Sequence, residues 1–200
     1  MRILAINAGV SQPSSTRMLI DRIIDSVRSQ SDAEVTAVDL RDYGQDLMNA
    51  ALTGVSSPRV RELLDLVARA DGVITASPIM NASYSGLFKL FWDVLDEGSL
   101  RGKPILLGAT GGTARHSLAI DQAMVPLFHY LRAITVPTSV FVATEDWGSP
   151  AGLDERIRDA VGQFVALLGG VPAASAGKKA YRIEDDFSLA KDFEQLMREI

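Results

Sequence analysis

RILAINAGVSQPSSTRMLIDRIIDSV, residues 2–27, contains the unit from which the fold is read. Arg2–Asn7 is dominated by Ile3, Leu4, Ala5 and Ile6, the pattern of a strand buried on both faces. A loop with four hydroxyl side chains, Gly9, Pro13 and Arg17 follows. From Thr16 to Ser29 the period changes. Leu19, Ile23 and Val27 recur every fourth residue with Ile20 and Ile24 beside them, which is one face of an amphipathic helix.

The same alternation continues along the chain. Glu34–Leu40, Gly72–Ser77, Pro104–Thr110 and Pro137–Thr144 read as strands. Ser57–Ala70, Ser85–Asp96, Ser117–Ala133 and Leu153–Leu168 read as helices. Pro58 sits in a first turn, where a missing N–H costs nothing, and Pro126 predicts a kink. Five strands alternating with five helices imply an α/β fold with a parallel sheet covered on both faces. The expected organisation is one domain over 1–170 and a tail over 171–200, with Gly169–Gly177 as linker and Ser188–Ile200 as a further helix.

Composition narrows the function. Of 200 residues, 47% are hydrophobic and 22% charged, ordinary for a globular protein. A net charge of −5 without a basic patch argues against nucleic acid. No apolar run approaches the roughly 18–20 residues of a membrane span. With no basic-then-apolar leader, a soluble cytoplasmic protein is expected. The absence of cysteine removes disulfides and thiol chemistry. His116 and His129 are not at i, i+4 spacing and no carboxylate cluster joins them, so no metal is expected.

Ligands of such sheets bind at the carboxyl ends of the strands. The first loop lies there, but it is neither G-x-G-x-x-G nor a P-loop. Hydroxyls leading into a helix N-terminus suit a phosphomonoester held by neutral N–H and O–H donors. The alternative is that Ser14 or Ser15 only caps the helix. Two further loops are specialised. In SPIMNASYSGLFKLFWD, residues 77–93, Pro78 is expected to end the third strand, and Asn81, Ser83, Tyr84 and Gly86 to form the turn that opens a helix. In ATGGTARHS, residues 109–117, Gly111 and Gly112 allow the backbone to approach a flat ligand.

In these motifs the chain resembles the NADPH-dependent FMN reductase family of flavodoxin-like proteins. Pro78, Asn81, Ser83, Gly86, Lys89 and Asp93 match its middle motif. Thr110-Gly111-Gly112-Thr113 with His116 match the third-loop motif, and Ala119, Asp121, Ala123 and Pro126 match the run that follows in alkanesulfonate-type members. The resemblance covers about residues 2–170. The chain departs from the family at Gln12-Pro13, where many members carry an arginine, and at Met80, where an aromatic is usual.

The resemblance implies a flavodoxin-like three-layer sandwich with a five-stranded parallel sheet of order 2-1-3-4-5. It implies hydride transfer from NADPH to FMN, with reduced flavin supplied to a flavin-dependent monooxygenase, and a homodimer or homotetramer. Carried over by position, Ser11, Gln12, Ser15 and Thr16 hold the FMN phosphate. Pro78, Ile79, Met80 and Asn81 line one edge of the isoalloxazine, and Ser83 and Tyr84 sit near the ribityl chain or phosphate. Thr110, Gly111 and Gly112 face the pyrimidine end, where N–H donors stabilise developing negative charge. Arg17 and Arg115 are candidates for the NADPH phosphates, and His116 for a dinucleotide contact. No side chain has to act as acid or base, so no catalytic residue is assigned. The rival readings are a prosthetic-FMN reductase of quinones, azo dyes or metal oxyanions, and a non-enzymatic electron carrier.

Four further expectations concern neighbouring residues. Lys89 and Asp93 form an i, i+4 ion pair. Phe88, Phe91 and Trp92 supply a subunit interface. His129 packs within its helix. Trp147 caps the site or the interface.

Overall fold

The computed structural model describes residues 1–148 and 150–170. The expected linker beyond Gly170 and the helix at Ser188–Ile200 lie outside the described residues. Strands β1 (Arg2–Asn7), β2 (Glu34–Asp39), β3 (Gly72–Met80) and β5 (Pro104–Gly111) form a parallel sheet in the order β2-β1-β3-β5. The expected fifth strand is split into β6 (Ile134–Thr135) and β7 (Val140–Ala143), both parallel to β5. Pro137 lies in the gap, and a residue without an N–H cannot extend the ladder. Counted as one strand, the pair completes the order 2-1-3-4-5.

Alternating side chains feed two cores. Ile3, Ala5, Ile74, Ala76, Leu106, Val140 and Val142 face α1 (Ser15–Gln30) and α6 (Pro150–Gly170). Leu4, Ile6, Val73, Ile105, Leu107 and Ala109 face the opposite layer. That layer holds α2 (Gly44–Thr53), α3 (Pro58–Arg69), α4 (Gly86–Asp93) and α5 (Val125–Tyr130). Helix α2, which carries no strong apolar stripe in the sequence, buries Leu47 and Ala50 and ends at Gly54, φ 71°. Gly169 and Gly170, expected in the linker, still belong to α6.

The long helix expected at Ser117–Ala133 is shorter and irregular. A π turn, Ile120–Met124, precedes α5, and Pro126 falls in the first turn of α5, where its missing N–H is no loss. Arg132 at φ 61° ends the segment, with the Ala133 N–H reaching back to the Phe128 carbonyl at 2.9 Å. Phe88, Phe91 and Trp92 are buried within the chain rather than at a subunit interface. Phe128 fills the space between them, its ring centre 4.9 Å from that of Trp92 and 6.0 Å from that of Phe88. Trp147 packs against the α1–α6 core under the Arg22 guanidinium, 5.4 Å from the ring centre. His129 is exposed, with Nε2 3.1 Å from Thr135 Oγ1.

Lys103 locks α3 to the start of β5. Its Nζ donates to the carbonyls of Val67 at 2.7 Å and Ala70 at 2.8 Å, and also to that of Ala68. Burial pulls this ammonium below lysine's ordinary range, and the charge of Asp71 opposes the shift. The cation sits where a helix C-terminus presents bare carbonyls. Lys103→Met keeps the aliphatic stem and removes the donors. It is expected to lower the unfolding free energy by about 2 kcal/mol, the scale of a hydrogen bond to a charged group, in urea denaturation.

Candidate functional site

The first loop leaves β1 at Asn7, a side chain only 3% exposed. Its Nδ2 donates to Asp39 Oδ1 at 2.7 Å, and its Oδ1 accepts the Gly9 N–H at 3.0 Å. One amide therefore ties the loop's first turn to the end of β2. A Cβ on Gly9 would lie 2.1 Å from Ser14 Oγ, so the loop needs a glycine there to leave that hydroxyl its place. Ser14, not Ser15, is the cap of α1, accepting the Arg17 N–H at 3.2 Å. The N–H groups of Ser15 and Thr16 have no protein acceptor among the described residues. Ser11, Gln12 and Ser15 are exposed at the rim of this turn.

Thr16 has another role. It is buried, and its Oγ1 lies 2.7 Å from the Oγ1 of Thr110, also buried, at the end of β5. This contact joins the first loop to the third across the end of β3. Arg17, one residue on, points to β2, where NH1 meets Asp39 at 3.0 Å and Nε meets Asp21 at 2.9 Å.

Strand β3 does not stop at Pro78. It runs to Met80, with Pro78 opposite Thr110, then turns back through Asn81 and Ala82 into β4 (Ser83–Tyr84). Both turn residues have positive φ, 49° and 69°, which makes a tight hairpin. Asn tolerates that conformation; for Ala82 it costs about 1–2 kcal/mol. Ser77 pins the base of the hairpin. Its Oγ accepts the Ser85 N–H at 2.9 Å and donates to the Pro78 carbonyl at 2.9 Å, while Ser85 caps α4 at the Phe88 N–H. Lys89 and Asp93 form the expected ion pair on α4.

The two glycines of the third loop do different things. A Cβ on Gly111 would come 2.9 Å from the Phe141 ring, so Gly111 serves packing against β7. Nothing lies within 4 Å of a Cβ on Gly112, which presents bare, open backbone. Arg115 and His116 follow on a short 3-10 turn, Arg115 exposed and His116 half-buried.

The structure thus brings the three loops to one edge of the sheet, at the carboxyl ends of β1, β3 and β5. Free N–H groups at the start of α1, a protruding hairpin and open backbone at Gly112 fit a phosphorylated, flat ligand such as FMN. Arg17 is paired with Asp39 at the carboxyl end of β2 and with Asp21. Sequence reasoning missed Asn7, Ser14, Asp39, Ser77 and Ser85, which shape the loops. Ser85 carried a signal, a serine opening an apolar helix; the pairing of Asn7 with Asp39 across two strands carried none.

Comparison with known proteins finds a family model, curated relatives and solved structures that match the chain. The family model described as NADPH-dependent FMN reductase matches residues 1–148. The FMN reductase (NADPH) of Pseudomonas aeruginosa is 31% identical over 173 residues, 84% of this chain and 93% of that protein. An oxidoreductase from Corynebacterium diphtheriae, solved by X-ray crystallography, superposes with a TM-score of 0.80 at 40% identity, covering 84% of this chain and 96% of that one. The apo form of an NADH:FMN oxidoreductase superposes at 0.75 with 28% identity, covering 92% and 98%.

Gly9→Ala is expected to displace the Ser14 hydroxyl and remove about 1 kcal/mol, the usual worth of an N-cap. Ser14→Ala is expected to cost the same. In urea denaturation the double variant should be no less stable than either single one, because one cap is lost in all three.

Proposed function

Because the chain belongs to the NADPH-dependent FMN reductase family, we propose that this NAD(P)H-dependent FMN reductase takes FMN as an exchanging substrate in the cleft at the ends of β1, β3 and β5. The observation that carries the reading is the convergence of the three loops on one sheet edge, the first tied to the third through Thr16 and Thr110, with the Ser15 and Thr16 N–H groups unpaired among the described residues. Exchange is supported by two features. The turn where many family members carry an arginine holds Gln12 and Pro13, and Met80, 44% exposed, stands in place of a stacking aromatic.

The isoalloxazine supplies the hydride-accepting chemistry when bound. The chain's own residues bind and orient. The Ser15 and Thr16 N–H groups, with the side chains of Ser11, Gln12 and Ser15, hold the phosphate. Thr16 contributes through its backbone, since its hydroxyl is committed to Thr110. The hairpin segment Pro78, Ile79, Met80 and Asn81 lines one edge of the ring, and Ser83 and Tyr84 the ribityl side. Thr110, Gly111 and Gly112 present N–H donors to the pyrimidine end, where negative charge develops. Arg115 and His116 meet the dinucleotide. Reduced flavin passes to a flavin-dependent monooxygenase. A cytoplasmic location gives the enzyme its NADPH. The exposed Leu118, Tyr130 and Ile134, around α5, supply an apolar surface for a homodimer or homotetramer.

Aerobic NADPH oxidation by the purified protein tests this reading. The rate should rise with added FMN and saturate. A rate independent of added FMN would mean a prosthetic flavin and another acceptor; no oxidation at all would overturn the reductase reading. Ser15→Ala combined with Thr16→Ala is expected to weaken FMN binding at least tenfold, through loss of the one side-chain hydrogen bond, about 1.5–3 kcal/mol, that Ser15 makes to a charged group. Loss of the Thr16–Thr110 bond adds a stability cost of about 1 kcal/mol, visible in urea denaturation.

A further inference from the structure

Thr16 and Arg17 are successive residues on α1, about 100° apart around its axis. Thr16 turns to β5, and Arg17 turns to β2. Arg17 is the only cation between Asn7 and the end of the first loop. Its NH1 donates to Asp39 Oδ2 at 3.0 Å and its Nε to Asp21 Oδ1 at 2.9 Å. The other oxygen of Asp39 accepts from Asn7 Nδ2 at 2.7 Å. The carboxylate at the end of β2 therefore holds both the amide that shapes the loop and the cation that borders it.

Burial alone would weaken the charge on Arg17, but hydrogen bonds and charges from Asp39 and Asp21 more than offset it, and the guanidinium is held more firmly protonated than usual. A cavity of about 250 Å³ opens beside this pair, lined by Ser11, Gln12, Arg17, Asp39, Arg41 and Asp42 among others. Asn7, Gly9 and Ser14 of the first loop line it as well, so Arg17 and the loop share one cavity. A guanidinium freed from Asp39 has a phosphate-binding turn within the same wall.

We propose that Asp39 sets the affinity for FMN: it is a positioning residue that withholds Arg17 from the phosphate cradle. The proposal rests on the reading of the first loop as that cradle. With Arg17 retained on β2, a dianionic phosphate meets neutral N–H and O–H donors only. A guanidinium adds a bidentate ion pair to those bonds, so withholding the cation that borders the loop keeps the flavin exchangeable. The same carboxylate preserves the loop's shape through Asn7, so affinity is limited without loosening the cradle.

Asp39→Asn tests this, because an amide oxygen still accepts from Asn7 while the charge that retains Arg17 is gone. Titrations by flavin fluorescence, with FMN and with riboflavin, compare the native chain, Asp39→Asn, Arg17→Ala and the double variant. Asp39→Asn is expected to bind FMN at least fivefold more tightly at low salt, with the gain shrinking at high salt, and riboflavin within twofold of native. The double variant should lose the gain, and Arg17→Ala alone should bind FMN within twofold of native. A tenfold loss in Arg17→Ala would overturn the proposal, because Arg17 would already be on the phosphate. So would an unchanged FMN-to-riboflavin ratio in Asp39→Asn, or an equal weakening of both flavins; these outcomes leave the cradle standing. A native chain that binds FMN no better than riboflavin would overturn the cradle and the proposal together.

Discussion

The side-chain amide of Asn7 is the joint on which the site depends. It sits where β1 stops being a strand, buried between β2 and the first loop, with both ends of the amide used. A buried amide is tolerated only when its donors and acceptor are matched. The match is supplied by Asp39 from the neighbouring strand and by Gly9 two residues on. Gly9 in turn leaves room for Ser14, and Ser14 starts α1. The position of the unpaired N–H groups at Ser15 and Thr16 follows from that chain of contacts.

A second constraint ties the remaining loops to the first. The Thr16–Thr110 hydroxyl pair spans the end of β3, so α1 and β5 cannot shift independently. Between them the hairpin after β3 is fixed at its base by Ser77 and strained at its tip at Ala82. Strain held by a well-bonded base is how a fold presents backbone to a ligand without letting it move. The flavin reductase activity of this family needs such presentation more than it needs a reactive side chain, since the redox chemistry belongs to the flavin.

Much of the fold was legible because its signals are local. Ile3 to Ile6 on β1 and the Leu19–Ile23–Val27 stripe on α1 each announce their own element. Failures came where the deciding contact is distant. Pro78 reads as a strand end, yet the strand runs on to Met80 and β4 returns along Ile79 and Met80. Phe88, Phe91 and Trp92 look excessive for one helix until Phe128, from a helix far along the chain, is placed among them. Residues such as Ser11, Gln12, Gly112 and His116 were legible as site candidates from motif and loop position.

By itself the sequence determined the alternation of strands and helices, the parallel α/β class, the three specialised loops and the family to which they point. These rest on periodicity and on short motifs, which are properties of neighbouring residues. Only the tertiary structure decided which way each loop residue faces. Thr16 and Arg17 are adjacent in the chain and both polar, but one is buried against β5 and the other is paired with β2. The helical step separates them, and partners from opposite sides of the sheet order then select their roles. Such partners are brought near only when the sheet is assembled.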